Sequence, residues 1–129
     1  MNADERRSEL DRITERIIGC AFKISNTLGT GFLEKVYENA LVVEFRKVGL
    51  KVEQQHGIKV YYEGAVVGDY TADLLVEGQV LVELKAVKAL DDIHSAQCMN
   101  YLKATGLSVC LLINFGQPKV EIKRIVRDF

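Results

Sequence analysis

Tryptophan is absent from this sequence, proline occurs once and cysteine occurs three times among 129 residues. With 48% hydrophobic and 27% charged residues, so little proline argues against a disordered or fibrous chain and favours a compact globular protein. The cysteines, Cys20, Cys98 and Cys110, lie inside apolar segments, without a CxxC pair or a histidine placed to complete a zinc site. We therefore predict that they are reduced core residues.

Long apolar runs and an excess of positive charge are also missing. Arg16 and Lys23 interrupt the first apolar run, so neither a signal peptide nor a membrane span fits there. We expect a cytoplasmic protein with no membrane partner. Seventeen basic against eighteen acidic residues give a net charge of -1, which excludes the broad positive surface of a protein that coats DNA. Any contact with nucleic acid must therefore be local.

Two amphipathic helices open the chain. Apolar residues at spacings of three and four predict the first helix over residues 4–27, and Gly29-Thr30-Gly31 ends it. A second periodic run predicts a helix over residues 32–47, which Gly49 closes. Because the glycine-rich segment joins two helices and follows no strand, it is neither a phosphate-binding loop nor a dinucleotide fingerprint.

Strand patterns dominate the rest of the chain. Asp91-Asp92 can cap one further helix over about residues 93–104, which ends at Gly106. At this length, residues 1–129 should form a single domain. The predicted fold class is α/β of the α+β kind, with a mixed sheet of about five strands flanked by helices in the order ααβββαββ. The predicted strands cover residues 58–62, 66–76, 80–87, 108–114 and 120–126.

Two charged side chains interrupt the third strand, which is otherwise apolar. Glu83 and Lys85 are two residues apart and therefore share a face of the sheet. A strand that is apolar on both faces is central in its sheet, where burying a charge is costly. Asp73 is a further acid among apolar residues of the preceding strand. Three such charges on adjacent strands indicate a functional site.

Whether the two acids meet depends on the connection between their strands. A two-residue turn of Glu77-Gly78 would pair Asp73 with Val82 and place the acids on opposite faces. A three-residue connection or a bulge would bring them together, and Gly78 allows either. The sequence leaves this point open.

Neighbouring carboxylates repel each other, and the usual remedies are a shared proton or a hard cation such as Mg²⁺. Lys85, normally protonated at neutral pH, could hold a phosphate oxygen, orient the attacking water or stabilise charge that develops on phosphorus. These electrostatic roles are favoured over that of a general base. The alternative is structural: Glu83 and Lys85 as an ordinary ion pair on an exposed sheet, with Asp73 ending a strand.

These motifs resemble a known family. An acid in one strand and Glu83-Leu84-Lys85 in the next, between helices, is similar to the PD-(D/E)xK nuclease superfamily. Gly31-Phe-Leu-Glu34-Lys-Val-Tyr37 matches the motif that names the GxxExxY family within it. The likeness covers nearly the whole chain from Gly29 onward, and order and spacing make it specific where single motifs are weak.

The resemblance implies a restriction-endonuclease-like core and a metal-dependent phosphodiesterase that acts on nucleic acid, DNA or RNA. It makes Lys85 the catalytic lysine, with Mg²⁺ or Mn²⁺ as the cofactor. The implied metal ligands are Asp73, Glu83, Glu34 and the backbone carbonyl of Leu84. Glu34 has a second explanation: with Gly31 as N-cap it would be the third helical residue, where a carboxylate favours the positive helix end.

Supporting positions are expected on the two neighbouring helices. Tyr37 and Glu38 lie one turn after Glu34 and could line the cleft, although Tyr37 fits the core equally well. The resemblance suggests that Gln97 and Tyr101, four residues apart, face the site. The alternative function is a non-catalytic module that binds nucleic acid or protein on a nuclease fold. The sequence also permits a homodimer.

Overall fold

The computed structural model describes residues 2–127, and in them the predicted element order is confirmed. Within these residues, five strands form one mixed sheet, flanked by three helices. The elements are α1 (Ala3–Leu28), α2 (Glu34–Lys47), β1 (Val52–Tyr62), β2 (Ala65–Val76), β3 (Val80–Lys85), α3 (Asp92–Thr105), β4 (Val109–Asn114) and β5 (Glu121–Val126).

Local chemistry sets the helix ends. The Asn2 side chain accepts a hydrogen bond from the Glu5 backbone and starts α1, which stops at Gly29. The Asp91 side chain caps α3, and Gly106 ends that helix in the left-handed conformation. The expectation that Gly31 caps α2 is wrong. Leu33 is the N-cap, so Glu34 is the first helical residue and not the third.

The strands lie in sequence order, β1-β2-β3-β4-β5. β3 and β4 run parallel, while the other neighbours are antiparallel. A parallel pair needs a crossover, and α3 supplies it. β1 begins six residues earlier than predicted. The sequence did not reveal this first half, residues 52–57, because it is rich in polar and exposed residues and lacks the apolar alternation that marks a strand.

Two apolar clusters cover the two faces of the sheet. On one face, α1 and α2 pack through Ile17, Leu41 and Phe45 against Val82 and Leu84 of β3. On the other face, a smaller cluster joins α3 to the sheet; it contains Ile58, Ala72, Leu75, Leu81, Cys98, Tyr101, Leu102, Cys110, Leu112 and Ile125. Because both faces are covered, β3 and β4 are apolar almost throughout.

The three cysteines are free and buried, as predicted. Within residues 2–127, no helix is long and apolar enough to cross a membrane; the 26-residue α1 carries charged side chains along its length.

Candidate active site

The connection between β2 and β3 determines where the two acids lie. The strands pair as Val76 with Val80, Leu75 with Leu81 and Leu74 with Val82. This register leaves a three-residue connection, in which Glu77 and Gly78 have positive φ angles of 54° and 65°. If this register is continued by one residue, Asp73 lies opposite Glu83. The two carboxylates are then on the same face of the sheet, as a shared site requires.

Beyond the Leu74–Val82 pair, the two carboxylates take over the bonding between the strands. The Asp73 backbone N–H donates to Glu83 Oε1 at 2.8 Å, and the Leu84 backbone N–H donates to Asp73 Oδ2 at 2.8 Å. Each acid therefore satisfies a backbone donor of the other strand, at a position where regular pairing has stopped. These two bonds hold the carboxylates side by side.

Burial disfavours the charged forms of both acids. Glu83 is only 5% exposed, and burial, followed by the negative charge of Asp73, raises its pKa from 4.5 to about 8. Burial also raises the pKa of Asp73, and the hydrogen bond from Leu84 opposes this rise. The site therefore concentrates negative charge that a cation or a proton must balance.

Lys85 supplies one positive charge nearby. By strand alternation it shares a face with Glu83 and Leu81, the face that α3 covers. Its charge lowers the pKa of both Asp73 and Glu83, which places the ammonium within electrostatic reach of the pair. Lys85 is half-buried, so part of its side chain is accessible to solvent.

Helix α2 brings two further acids to the edge of the site. Glu34 is exposed at the first position of the helix, and its charge raises the pKa of Glu83. Glu38 is 3% exposed, and its charge raises the pKa of Asp73. Within residues 2–127, no three acidic, histidine or cysteine side chains lie close enough to hold a metal ion by themselves. Glu34 therefore stands apart from the tight pair.

Hydrogen bonds fix Glu38 in its buried position. Its carboxylate accepts from Lys35 Nζ at 2.9 Å, from Gln54 Nε2 at 2.7 Å and from Gln55 Nε2 at 2.9 Å. Gln55 adopts a positive φ of 55°, which is uncommon for a residue with a side chain. This network ties α2 to the early part of β1.

Tyr37 is a core residue whose hydroxyl holds the loop before α2. The ring is fully buried and stacks on Phe115 at 4.5 Å between centroids. Its hydroxyl donates to the Gly29 carbonyl at 2.6 Å and accepts from the Phe32 N–H at 3.4 Å. Tyr37 thus fixes the loop from which Glu34 begins the helix.

Gln97 and Tyr101 lie next to each other on α3. Gln97 Nε2 donates to the Tyr101 hydroxyl at 3.0 Å. Burial raises the pKa of Tyr101 to about 12, and the charges of Glu83 and Asp73 contribute to the rise. The hydroxyl therefore lies within electrostatic reach of both acids. His94 caps α3, with its Nδ1 accepting from the Asp91 backbone at 3.2 Å.

Asn114 is a supporting residue to which the sequence did not assign a role. Asn114 is fully buried at the end of β4, where its Oδ1 accepts from Val87 N at 3.0 Å and its Nδ2 donates to Val87 O at 2.9 Å. It therefore anchors the chain two residues after Lys85. Gly116 lies against the same segment, since a Cβ there would be 2.1 Å from the Val87 carbonyl oxygen. A polar residue ending an apolar strand was the available signal.

Comparison with known proteins identifies the family. The family model described as the PD-(D/E)XK nuclease superfamily matches residues 11–125, and the chain belongs to this superfamily. Its members generally use divalent metal ions. No curated protein matches the chain.

Solved structures share the fold. The crystal structure of SSO0001 is 15% identical with a TM-score of 0.55; the match covers 74% of this chain and 50% of that one, so this chain spans half of its length. The alkaline exonuclease LHK-Exo from Laribacter hongkongensis is 14% identical with a TM-score of 0.50, over 90% of this chain and 81% of that one. The structure of LHK-Exo in complex with dAMP is 14% identical with a TM-score of 0.51, and the match covers 84% of this chain and 76% of that one. The restriction-endonuclease-like α+β fold is thereby confirmed.

Proposed function

We propose that this chain is a metal-dependent phosphodiesterase that cleaves nucleic acid, with Asp73 and Glu83 as ligands of Mg²⁺ or Mn²⁺. The observation that carries the proposal is the pair of carboxylates held side by side where the β2–β3 ladder stops. Membership of a nuclease superfamily supports it. The similar fold of an alkaline exonuclease that was crystallised with dAMP supports nucleic acid as the substrate.

The residues present fit a hard divalent cation. Each carboxylate uses one oxygen for a backbone N–H, which leaves Asp73 Oδ1 and Glu83 Oε2 as candidate metal ligands. Mg²⁺ is ordinarily held by one or two carboxylates together with water and substrate phosphate, so a third tightly grouped acid is not needed. The Leu84 carbonyl and Glu34, directly or through water, complete the proposed ligand set.

Each protein group has a defined part in the proposed reaction. When bound, the metal would polarise the scissile phosphate and favour ionisation of a water molecule. Lys85 stabilises negative charge that develops on the phosphate oxygens. Gln97, oriented by Tyr101, holds a phosphate oxygen or a water molecule, while Tyr37 and Glu38 position α2.

The finer family assignment is also a proposal. The GxxExxY motif forms one local unit here: Gly31 has a positive φ of 107°, Tyr37 bonds the loop, and Glu34 starts the helix between them. This supports a place in the GxxExxY family. Three statements stay predictions: that residues 1–129 form one nuclease-like domain, that the protein is cytoplasmic, and that it forms a homodimer making symmetric cuts in DNA or RNA.

The test compares Lys85→Ala with Lys123→Ala, an exposed lysine of β5. Labelled single-stranded and duplex DNA and RNA are incubated with Mn²⁺ or Mg²⁺ and the products are resolved on gels. We expect Lys85→Ala to cut at least about a hundredfold more slowly, as for loss of a charge-stabilising donor. Lys123→Ala should match the wild type, and both should melt normally.

Calorimetry of Mn²⁺ binding completes the test. Asp73→Asn should weaken binding of the metal, because it removes one of the two carboxylates. A fully active Lys85→Ala, or a wild type without affinity for either cation, would contradict the proposal. Nucleic-acid binding without cleavage under Mn²⁺ would favour the non-catalytic binding module instead.

A further inference from the structure

A groove of about 700 Å³ runs between the β1–β2 hairpin and α3. Tyr61 and Tyr70 of the hairpin and Tyr101 of α3 are among its lining residues. Tyr61 is 63% exposed and Tyr70 is 51% exposed, although both are large aromatic side chains. Aromatic surface left open in a groove is available to a flat ligand.

The ring of Tyr70 is held in a defined position. Its centroid lies 6.0 Å from that of Tyr101, with the planes tilted by 49°. A Cβ added at Gly68 would come within 3.1 Å of Tyr70 Cε2, so the ring edge lies close over this glycine. The absence of a side chain at Gly68 gives Tyr70 room to lie along the strand, and the ring is a preformed platform.

The polar groups of the groove suit an anionic backbone. Lys59, Lys103, Gln97 and Asn100 line it, and no acidic residue is among the described residues that do so. Lys59 also reaches Asp69 on the neighbouring strand at 3.4 Å, in a pair exposed on both sides. Exposed Lys103 and the amide groups therefore form the main polar wall.

Two of the predicted site residues on α3 also line the groove. Tyr101 and Gln97 line the groove, and they bond to each other at 3.0 Å. The Tyr101 hydroxyl also lies within electrostatic reach of Asp73 and Glu83, as described above. Tyr101 therefore connects the wall of the groove with the surroundings of the acid pair.

We propose that this groove binds unpaired nucleotides of a single-stranded nucleic acid, with a base stacked on Tyr70 and the backbone along Lys103, so that the strand is delivered to the acids. The inference rests on the proposed nuclease function and adds the substrate form to it. Stacking needs an exposed base face, which a duplex does not offer. Aromatic platforms beside basic and amide groups are the usual means of binding single strands.

The experiment measures binding without metal, so that cleavage does not interfere. Fluorescence anisotropy in EDTA follows labelled 20-nucleotide oligo(dT), oligo(U) and a matched duplex. Tyr70→Ala should weaken single-strand binding by about fivefold or more, the range expected for loss of one stacked base. Tyr70→Phe should bind like the wild type. The matched control is Tyr62→Ala, since Tyr62 lies on the same hairpin, is 67% exposed and does not line the groove.

Salt dependence tests the lysine. Lys103→Ala should reduce the slope of log affinity against log salt by about 0.7 for the single strand, the value for one lost phosphate contact, whereas Lys123→Ala should not change the slope. Equal losses in Tyr70→Ala and Tyr62→Ala, equal binding of duplex and single strand, or no single-strand binding by the wild type would each overturn the inference.

These results are separable from the proposed function. If the wild type cleaves with Mn²⁺ but Tyr70→Ala binds and cleaves single strands normally, the groove assignment fails and the nuclease proposal stands. If the wild type binds single strands through Tyr70 but Lys85→Ala loses nothing, the nuclease proposal fails and the groove assignment stands.

Discussion

The two faces of the sheet are built differently. The face under α1 and α2 is a continuous apolar cluster in which Ile17, Leu41 and Phe45 are completely buried. The face under α3 has a smaller cluster, and Glu83 and Lys85 lie on it beside an open groove. In the part of the chain that the structure describes, α3 is the one helix on this second face. The fold therefore gains most of its burial on one side and carries its charges on the other.

This difference separates stability from chemistry. Large buried side chains contribute the hydrophobic free energy of folding, whereas a buried, repelling carboxylate pair opposes folding. The acid pair is tolerated because β3 is anchored from its other face through Val82 and Leu84. Removing a buried apolar side chain on the first face should therefore destabilise the fold, whereas removing a charge from the acid pair on the second face should stabilise it.

The largest expected effect on stability is on the apolar face. Phe45→Ala removes a fully buried ring and should lower the free energy of unfolding by about 3–5 kcal/mol. Val43→Ala on the same helix, where Val43 is 59% exposed, should cost less than about 1 kcal/mol. Urea unfolding followed by circular dichroism measures both. A cost for Phe45→Ala no larger than that for Val43→Ala would remove the proposed asymmetry.

The acid pair should make metal-free stability fall as pH rises. The pKa of Glu83 is raised in the fold, from 4.5 to about 8, so between these values the folded chain holds a proton that the unfolded chain has lost. The stabilisation from this proton is fully present below pH 4.5 and is lost as pH rises through about 8. The slope is about 1.4 kcal/mol per pH unit for one such group, and the total is on the order of a few kcal/mol.

Glu83→Gln isolates this contribution. Without an ionisable group at this position, the variant should show a flatter profile and be more stable than the wild type at pH 8, both in EDTA. Added Mg²⁺ should stabilise the wild type at pH 8 more than the variant, because the bound cation favours the ionised carboxylates. If the stabilities of the two proteins changed in parallel from pH 5 to pH 8, Glu83 would not be the source of the pH dependence.

Asn114 holds the segment that follows β3, and its loss should have an intermediate effect. Asn114→Ala leaves the Val87 backbone groups and the Gly116 N–H without their partner, at a cost of about 2–3 kcal/mol. The chain after Lys85 should also become mobile, so cleavage should fall further than stability alone explains. Lys119→Ala, an exposed neighbour, is the control. Normal cleavage by a destabilised Asn114→Ala would limit this residue to a structural role.

The contrast between the faces also explains what the sequence could predict. The helices were predictable because α1 and α2 each have one buried stripe, which gives a clear period. The register of β3 was not, because both of its faces are apolar and a shift by one residue leaves the pattern unchanged. The meeting of Asp73 with Glu83 therefore depended on the length of the Glu77–Gln79 connection. Asn114 was missed because its partners are backbone groups of a distant segment.

The smallest expected effect concerns the loop that carries Glu34. The Tyr37 hydroxyl donates to the Gly29 carbonyl at 2.6 Å, and Tyr37→Phe removes this bond while the ring keeps its stacking on Phe115. We expect a loss of about 1 kcal/mol in the free energy of unfolding, typical of one hydrogen bond. Tyr62→Phe, which changes an exposed hydroxyl, should be neutral.

The same substitution tests whether this loop positions Glu34 for the reaction. If it does, cleavage by Tyr37→Phe should fall several-fold, and Mn²⁺ affinity should fall with it. Adding Tyr37→Phe to Glu34→Gln should then cause no loss beyond that of Glu34→Gln alone. Additive losses would mean that the two residues act independently. In that case the hydroxyl contributes to the stability of the apolar face alone, and Glu34 reaches the acid pair without its help.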